Sequence, residues 1–156
     1  MVPMVTKPAS QRRKIDDLAA YVTGLSANDR TFDALKLNWL LFLCDFTAYA
    51  RLGASISGSP YVRGLHAPAP RSAPQSHGRV AASRFSPPQR RIIEEIVRRY
   101  TGRAAAVISR SDPEHGLGWR VAAEGEGIPR ASALLSAAVT PDDRDWAHKV
   151  ARRRGA

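Results

Sequence analysis

A single cysteine, Cys44, occurs in 156 residues, which excludes an internal disulfide and a cysteine-rich zinc site. Long apolar runs are also missing. The longest is Trp39-Leu40-Leu41-Phe42-Leu43-Cys44, far short of the ~20 residues that cross a bilayer. Met1 to Lys14 lacks the apolar core of a secretory signal. Together these absences predict a cytoplasmic protein with no membrane partner. Catalytic signatures are absent too. There is no P-loop, no glycine-rich dinucleotide fingerprint, no G-x-S-x-G and no H-E-x-x-H. The four histidines, His66, His77, His115 and His148, are far apart in sequence. These observations predict no metal, no cofactor and no enzymatic activity.

Acidic residues are sparse. Fourteen Asp and Glu face 24 Lys and Arg, for a formal net charge of +10. A surface of that sign attracts nucleic acid or an acidic protein. The excess is spread along the chain, and its densest clusters are Arg12-Arg13-Lys14, Arg90-Arg91 with Arg98-Arg99, and Arg152-Arg153-Arg154. Hydrophobic residues make up 44% of the chain, enough for one packed core.

The pattern along the chain predicts a mainly α, compact single domain with a small β-hairpin. Residues 1–10 read as a loose tail. Ser10 can cap a helix over Gln11 to Thr23, with Ile15, Leu18, Ala19 and Val22 on one face and Gly24 as its stop. The next helix carries Phe32, Leu35, Trp39, Phe42, Phe46 and Tyr49 at helical spacing. Leu37, Leu40, Leu41 and Leu43 widen that stripe, which marks a buried central helix. Asp33 lies in its first turn and Gly53 at its end.

From Ala54 to Leu65 the period shortens, and Ile56, Gly58, Tyr61 and Val62 read as a short strand or hairpin. Pro60 cannot donate to a ladder, so a strand there is expected at an edge. Residues 65–84 contain Pro68, Pro70 and Pro74, three arginines and no acid, and read as a loop. Ser86-Pro87-Pro88-Gln89 is a helix start with a capping box. That helix runs to Tyr100 with Ile92, Ile93, Ile96 and Val97 inward, and Gly102 closes it. Arg103 to Ser109 reads as a short helix with Ala104, Ala106 and Val107 inward.

A polar turn leads from Ser111 to Trp119, and Val121 suggests a short strand. Ile128-Pro129 opens a helical region through Ala138. Thr140-Pro141-Asp142-Asp143 starts a C-terminal basic helix over residues 140–156. Asp45 directly follows the apolar run on the central helix. A carboxylate buried there must be hydrogen-bonded or paired, so it is expected to hold a structural contact.

The run from Lys36 through Leu37, Leu40, Leu41 and Asp45, then Tyr49, Gly53, Ile56-Ser57-Gly58 and Tyr61-Val62, resembles the SocA-like, or Panacea, antitoxin domain. That family is also known as the phage-associated GepA-like proteins. Its helix motif is K-L-x-K-L-L-Y-x-x-D, followed by an I-T-G-x-x-Y-V hairpin and a G-P-V-P stretch, here Ala67-Pro68-Ala69-Pro70. Phe85-Ser86, Tyr100, Gly102, Ser109, Trp119 and Ile128-Pro129 continue the likeness, which covers roughly residues 11–135 of a domain expected over residues 11–139. Trp39 stands where the pattern has Lys, Ala67 where it has Gly, and Arg110 where it has His, while Pro60 interrupts the hairpin.

The resemblance implies the antitoxin of a toxin–antitoxin system, a protein that binds and masks a separately encoded toxin. The expected toxin contacts are Tyr61, Arg63, His66 and Arg71, on the hairpin and the loop after it. Two alternatives share the pattern. One is a DNA-binding autoregulator using Gln89, Arg90 and Arg91 at a helix start. The other is an adaptor that presents a bound partner to a protease.

Overall fold

The computed structural model describes residues 13–75, 78–111, 119, 122–134, 149 and 152–153. The expected tail, the Ser10 cap, Val121 and most of the 140–156 helix lie outside them. Among the described residues the fold is mainly α, with four α-helices and a three-stranded antiparallel sheet.

Helix α1 spans Lys14–Leu25 and buries Ile15, Leu18, Ala19 and Val22. It starts later than expected because Asp16, three residues past Arg13, turns back to accept from the Arg13 N–H. Helix α2, Ala34–Leu52, is the axis of the fold and packs against α1, α3, α4 and the sheet. The Asp33 side chain accepts from the Lys36 N–H at 2.7 Å, closing the first turn. Gly53 ends the helix in the left-handed region at φ 79°, where a Cβ would be strained.

Trp39, the run Leu40 to Cys44, Phe46 and Ala48 are buried. Leu35 is not, because it points outward from the first turn at 36% exposure. Phe42 and Phe46 stack at 4.1 Å and both meet the Tyr61 ring.

Strand β1, Tyr61–Arg63, is the centre of the sheet rather than an edge. It starts one residue after Pro60, so the proline costs no ladder donor. Strand β2, Pro68–Pro70, lies within the stretch expected to be loop, and β3 is Gly127–Ile128. Tyr61 pairs with Pro70 and Arg63 with Pro68. Ala67 O and Arg71 N bond towards the β1 side. Pro68 and Pro70 therefore sit out of phase with those bonds, and their missing donors fall on the outer edge. The β1–β2 turn depends on Gly64, whose Cβ would come 2.6 Å from the Ala67 carbonyl oxygen.

Helix α3, Pro87–Tyr100, has the expected cap, with Ser86 and Gln89 bonded reciprocally. Its inward face is Ile92, Ile93, Ile96, Val97 and Tyr100. Helix α4 is Ala105–Ser111. It starts two residues later than expected, and packing against α2 selects a different inward face. Ala105 and Ile108 are buried, while Ala104, Ala106 and Val107 are exposed. A 3₁₀ turn over Arg130–Leu134 replaces the start of the helical region expected after Pro129.

Candidate functional site

The residues expected to touch a partner do not form one exposed patch. Tyr61 is 2% exposed. Its ring is core and its hydroxyl donates to Asp45 Oδ2 at 2.6 Å, so it is a packing residue and not a contact. Arg63 is half-buried. Its guanidinium lies 4.7 Å over the Trp119 ring and donates to the Ala122 carbonyl, which spends it on holding the chain after α4. Trp119 in turn packs on Trp39 at 5.3 Å. Only His66 and Arg71 of the four are exposed, together with Leu65 at 66%.

Asp45 does hold the structural contact its position demanded. Its carboxylate accepts from the Ile56 N–H at 2.9 Å, the Ser57 N–H at 2.8 Å, the Ser57 hydroxyl and the Tyr61 hydroxyl. It thereby joins the C-terminal half of α2 to the Ile56-Ser57-Gly58 turn and to β1. Burial raises its pKa above the ordinary carboxylate value, against the pull of Ser57 and Tyr61. Burial and the Asp45 charge push the Tyr61 phenol and the adjacent Cys44 thiol up as well. Cys44 is fully buried and protonated, a small hydrophobe.

Sequence reasoning missed Lys36 as a chemical group. It is 1% exposed near the start of α2. Its ammonium donates to Asp29 Oδ2 at 2.5 Å, to Thr31 Oγ1 at 2.8 Å and to the Tyr100 carbonyl at 2.7 Å. Asp29 also accepts from Thr31 N–H and Gly102 N–H. Burial alone would raise the Asp29 pKa, but the bonds from Lys36, Thr31 and Gly102 outweigh it and hold the carboxyl far below its usual range. The available signal was a lysine between Leu35 and Leu37, in the first turn of α2 ahead of the apolar run. A third buried carboxylate, Asp16, takes the Arg13 guanidinium and the Gln75 N–H, tying the segment after β2 to α1.

Each of these carboxylates is held by donors of the chain itself, and the arrangement staples loops to helices. Among the described residues no group of three or more His, Cys, Asp or Glu side chains is placed to hold a metal ion. None of the helices there is long and apolar enough to cross a membrane. His77, His115 and His148 lie outside the described residues. At the start of α3, the Gln89 side chain is spent on the Ser86 N–H and Arg90 is half-buried.

Two concavities flank the outer face of α1. The larger, about 780 Å³, is lined by Ala20, Gly24, Ser26, Phe32 and Val80 among others. The smaller, about 330 Å³, reaches Leu37 and Pro74. They share Ala20, Thr23, Gly24 and Arg79, so together they form one continuous groove.

The fold and these contacts define a small helical domain in which Asp16, Asp29 and Asp45 are structural and the recesses lie at the surface. Comparison of the chain with family models, curated proteins and solved structures gives no match.

Proposed function

We propose that this chain is an antitoxin-type binding module, which neutralises a separately encoded toxin by direct protein–protein contact in the cytoplasm. One observation carries the reading. The residues that resemble the SocA-like domain are physically interdependent, because Asp45 of the helix motif accepts from Ile56, Ser57 and Tyr61 of the hairpin motif. That interlock is a physical reason for the two motifs to occur as a unit. Masking requires a surface and no reactive group, which agrees with carboxylates already occupied by donors of the chain. The +10 net charge favours an acidic partner and would speed its capture.

The test is co-expression with the product of the neighbouring reading frame. The expected result is growth arrest by the neighbour alone, rescue by this chain, and a complex that survives purification. Arrest without rescue or complex overturns the reading for that pair. Rescue accompanied by loss of the neighbour from cells, and dependent on a protease, would replace masking by delivery for degradation.

A further inference from the structure

We propose that the groove along α1 is the toxin-docking surface, and that it takes an acidic amphipathic helix. This inference rests on the antitoxin reading above and moves the contact surface away from the β1–β2 hairpin.

Three observations converge on the groove. The first is shape. On the outer side of α1, Ala20, Thr23 and Gly24 recur at i, i+3 and i+4 and line both concavities. Side chains this small let a second helix approach closely, and Phe32, Val80 and Leu37 in the lining offer apolar contact. Leu25, at the same end of α1, is 42% exposed.

The second is an unmet hydrogen bond. Ser26 lines the larger concavity at 4% exposure, and its hydroxyl has no partner among the described residues. A buried hydroxyl without a partner costs stability. The oxygen is covered by the chain itself, so a polar group of a docked partner reaches it only if the turn after α1 shifts.

The third is charge. Asp29 lines the groove, but its carboxylate is neutralised by Lys36. Arg79 lines both concavities and is exposed, and Arg30, next to Asp29, is exposed as well. The groove therefore presents apolar side chains with one exposed cation, Arg79, in its lining. An acidic residue on the flank of an apolar helix face matches it.

The hairpin is the poorer surface by the same criteria. Tyr61 is buried and Arg63 is bound to Trp119 and Ala122.

The experiment uses the full chain and the neighbouring gene product. Gly24→Trp fills the groove. A Cβ at Gly24 meets nothing within 4 Å, so the fold is expected to hold, and circular dichroism with a melting curve checks this. Arg79→Glu reverses the charge at an exposed position. Each variant is expected to weaken the complex by at least tenfold and to abolish growth rescue, while Leu65→Asp with His66→Ala on the hairpin leaves both unchanged. Wild-type binding and rescue together with unaffected groove variants would overturn the groove and leave the antitoxin reading standing. If the wild type neither binds nor rescues, both fall. If Gly24→Trp turns a dimer of this chain into a monomer without altering toxin binding, the occupant is a second copy and the assignment is wrong.

Discussion

Asp29 and Asp45 are both aspartates that tie a loop to α2, yet their surroundings push them in opposite directions. Asp29 meets an ammonium, that of Lys36, together with three neutral donors from Thr31 and Gly102. Asp45 meets only neutral donors, two N–H groups and two hydroxyls. Burial raises the pKa of both. At Asp29 the cation helps to overcome that penalty and the pKa falls, whereas at Asp45 the neutral donors do not and it rises. Donor number alone therefore does not decide whether a buried carboxylate is comfortable as an anion, because depth of burial and a full opposite charge weigh as much.

The strongest way to break the comparison is to remove the cation. Lys36→Met keeps the buried stem but leaves Asp29 as an uncompensated charge and strips the Tyr100 carbonyl of this donor. The expected loss is about 3–5 kcal/mol, read from denaturant unfolding. Adding Asp29→Asn should recover much of it, since the stranded charge is then gone. A loss below about 1 kcal/mol for Lys36→Met would show that the pair is not desolvated as described.

A smaller effect is expected at the other carboxylate. Asp45→Asn keeps the volume but turns the oxygen that faces the Ser57 and Tyr61 hydroxyls into a donor, at an expected cost of about 2 kcal/mol. Its pH dependence sharpens the contrast. Because the folded pKa of Asp45 is raised from the ordinary 3.8, its contribution is full below that value and is lost as pH rises through the folded value. For Asp29 the folded pKa is lowered, so its contribution is present above 3.8 and is lost as pH falls towards the folded value. Stability measured from pH 3 to pH 8 should lose its decline above pH 4 in Asp45→Asn. The acid limb, to which Asp29, Asp16 and Glu95 all contribute, should persist.

The least effect is expected where water does the screening. Glu95 bridges Arg51 and Arg99 at 2.9 Å each, but all three side chains are 38–46% exposed. Glu95→Gln should cost less than about 1 kcal/mol, shrinking with added salt. A larger loss would mean that this surface bridge is as protected as the Lys36 pair.

Helix α3 was legible to the residue, because Ser86 and Gln89 specify a start through bonds between near neighbours and the isoleucines mark one face. Helix α2 was legible as buried for the same reason of periodicity. Errors arose where the local pattern left a face or a pairing open. In α4, packing against α2 turns Ile108 inward and leaves Val107 outward. Pro68 and Pro70 read as loop, although alternate prolines are compatible with an edge strand whose bonded positions fall between them. Tyr61 reads from sequence as either hairpin packing or a surface contact, because aromatic residues on hairpins can point either way and strand pairing decides which. Nothing in the local pattern pointed to the α1 groove, whose lining combines α1 and the following turn with Pro74, Gln75, Gly78, Arg79 and Val80.

Local sequence specifies helices α1 to α3, most of their inward faces and the need for Asp45 to find a partner. These follow from hydrogen bonds and side-chain spacings within one or two turns of chain. Which groups answer the buried charges was decided by tertiary structure. Asp45 is met by residues 11 to 16 positions away, and Lys36 by a carbonyl 64 positions away. A desolvated charge takes whichever donor or acceptor packing brings within about 3 Å, and that proximity is a property of how the helices and sheet assemble.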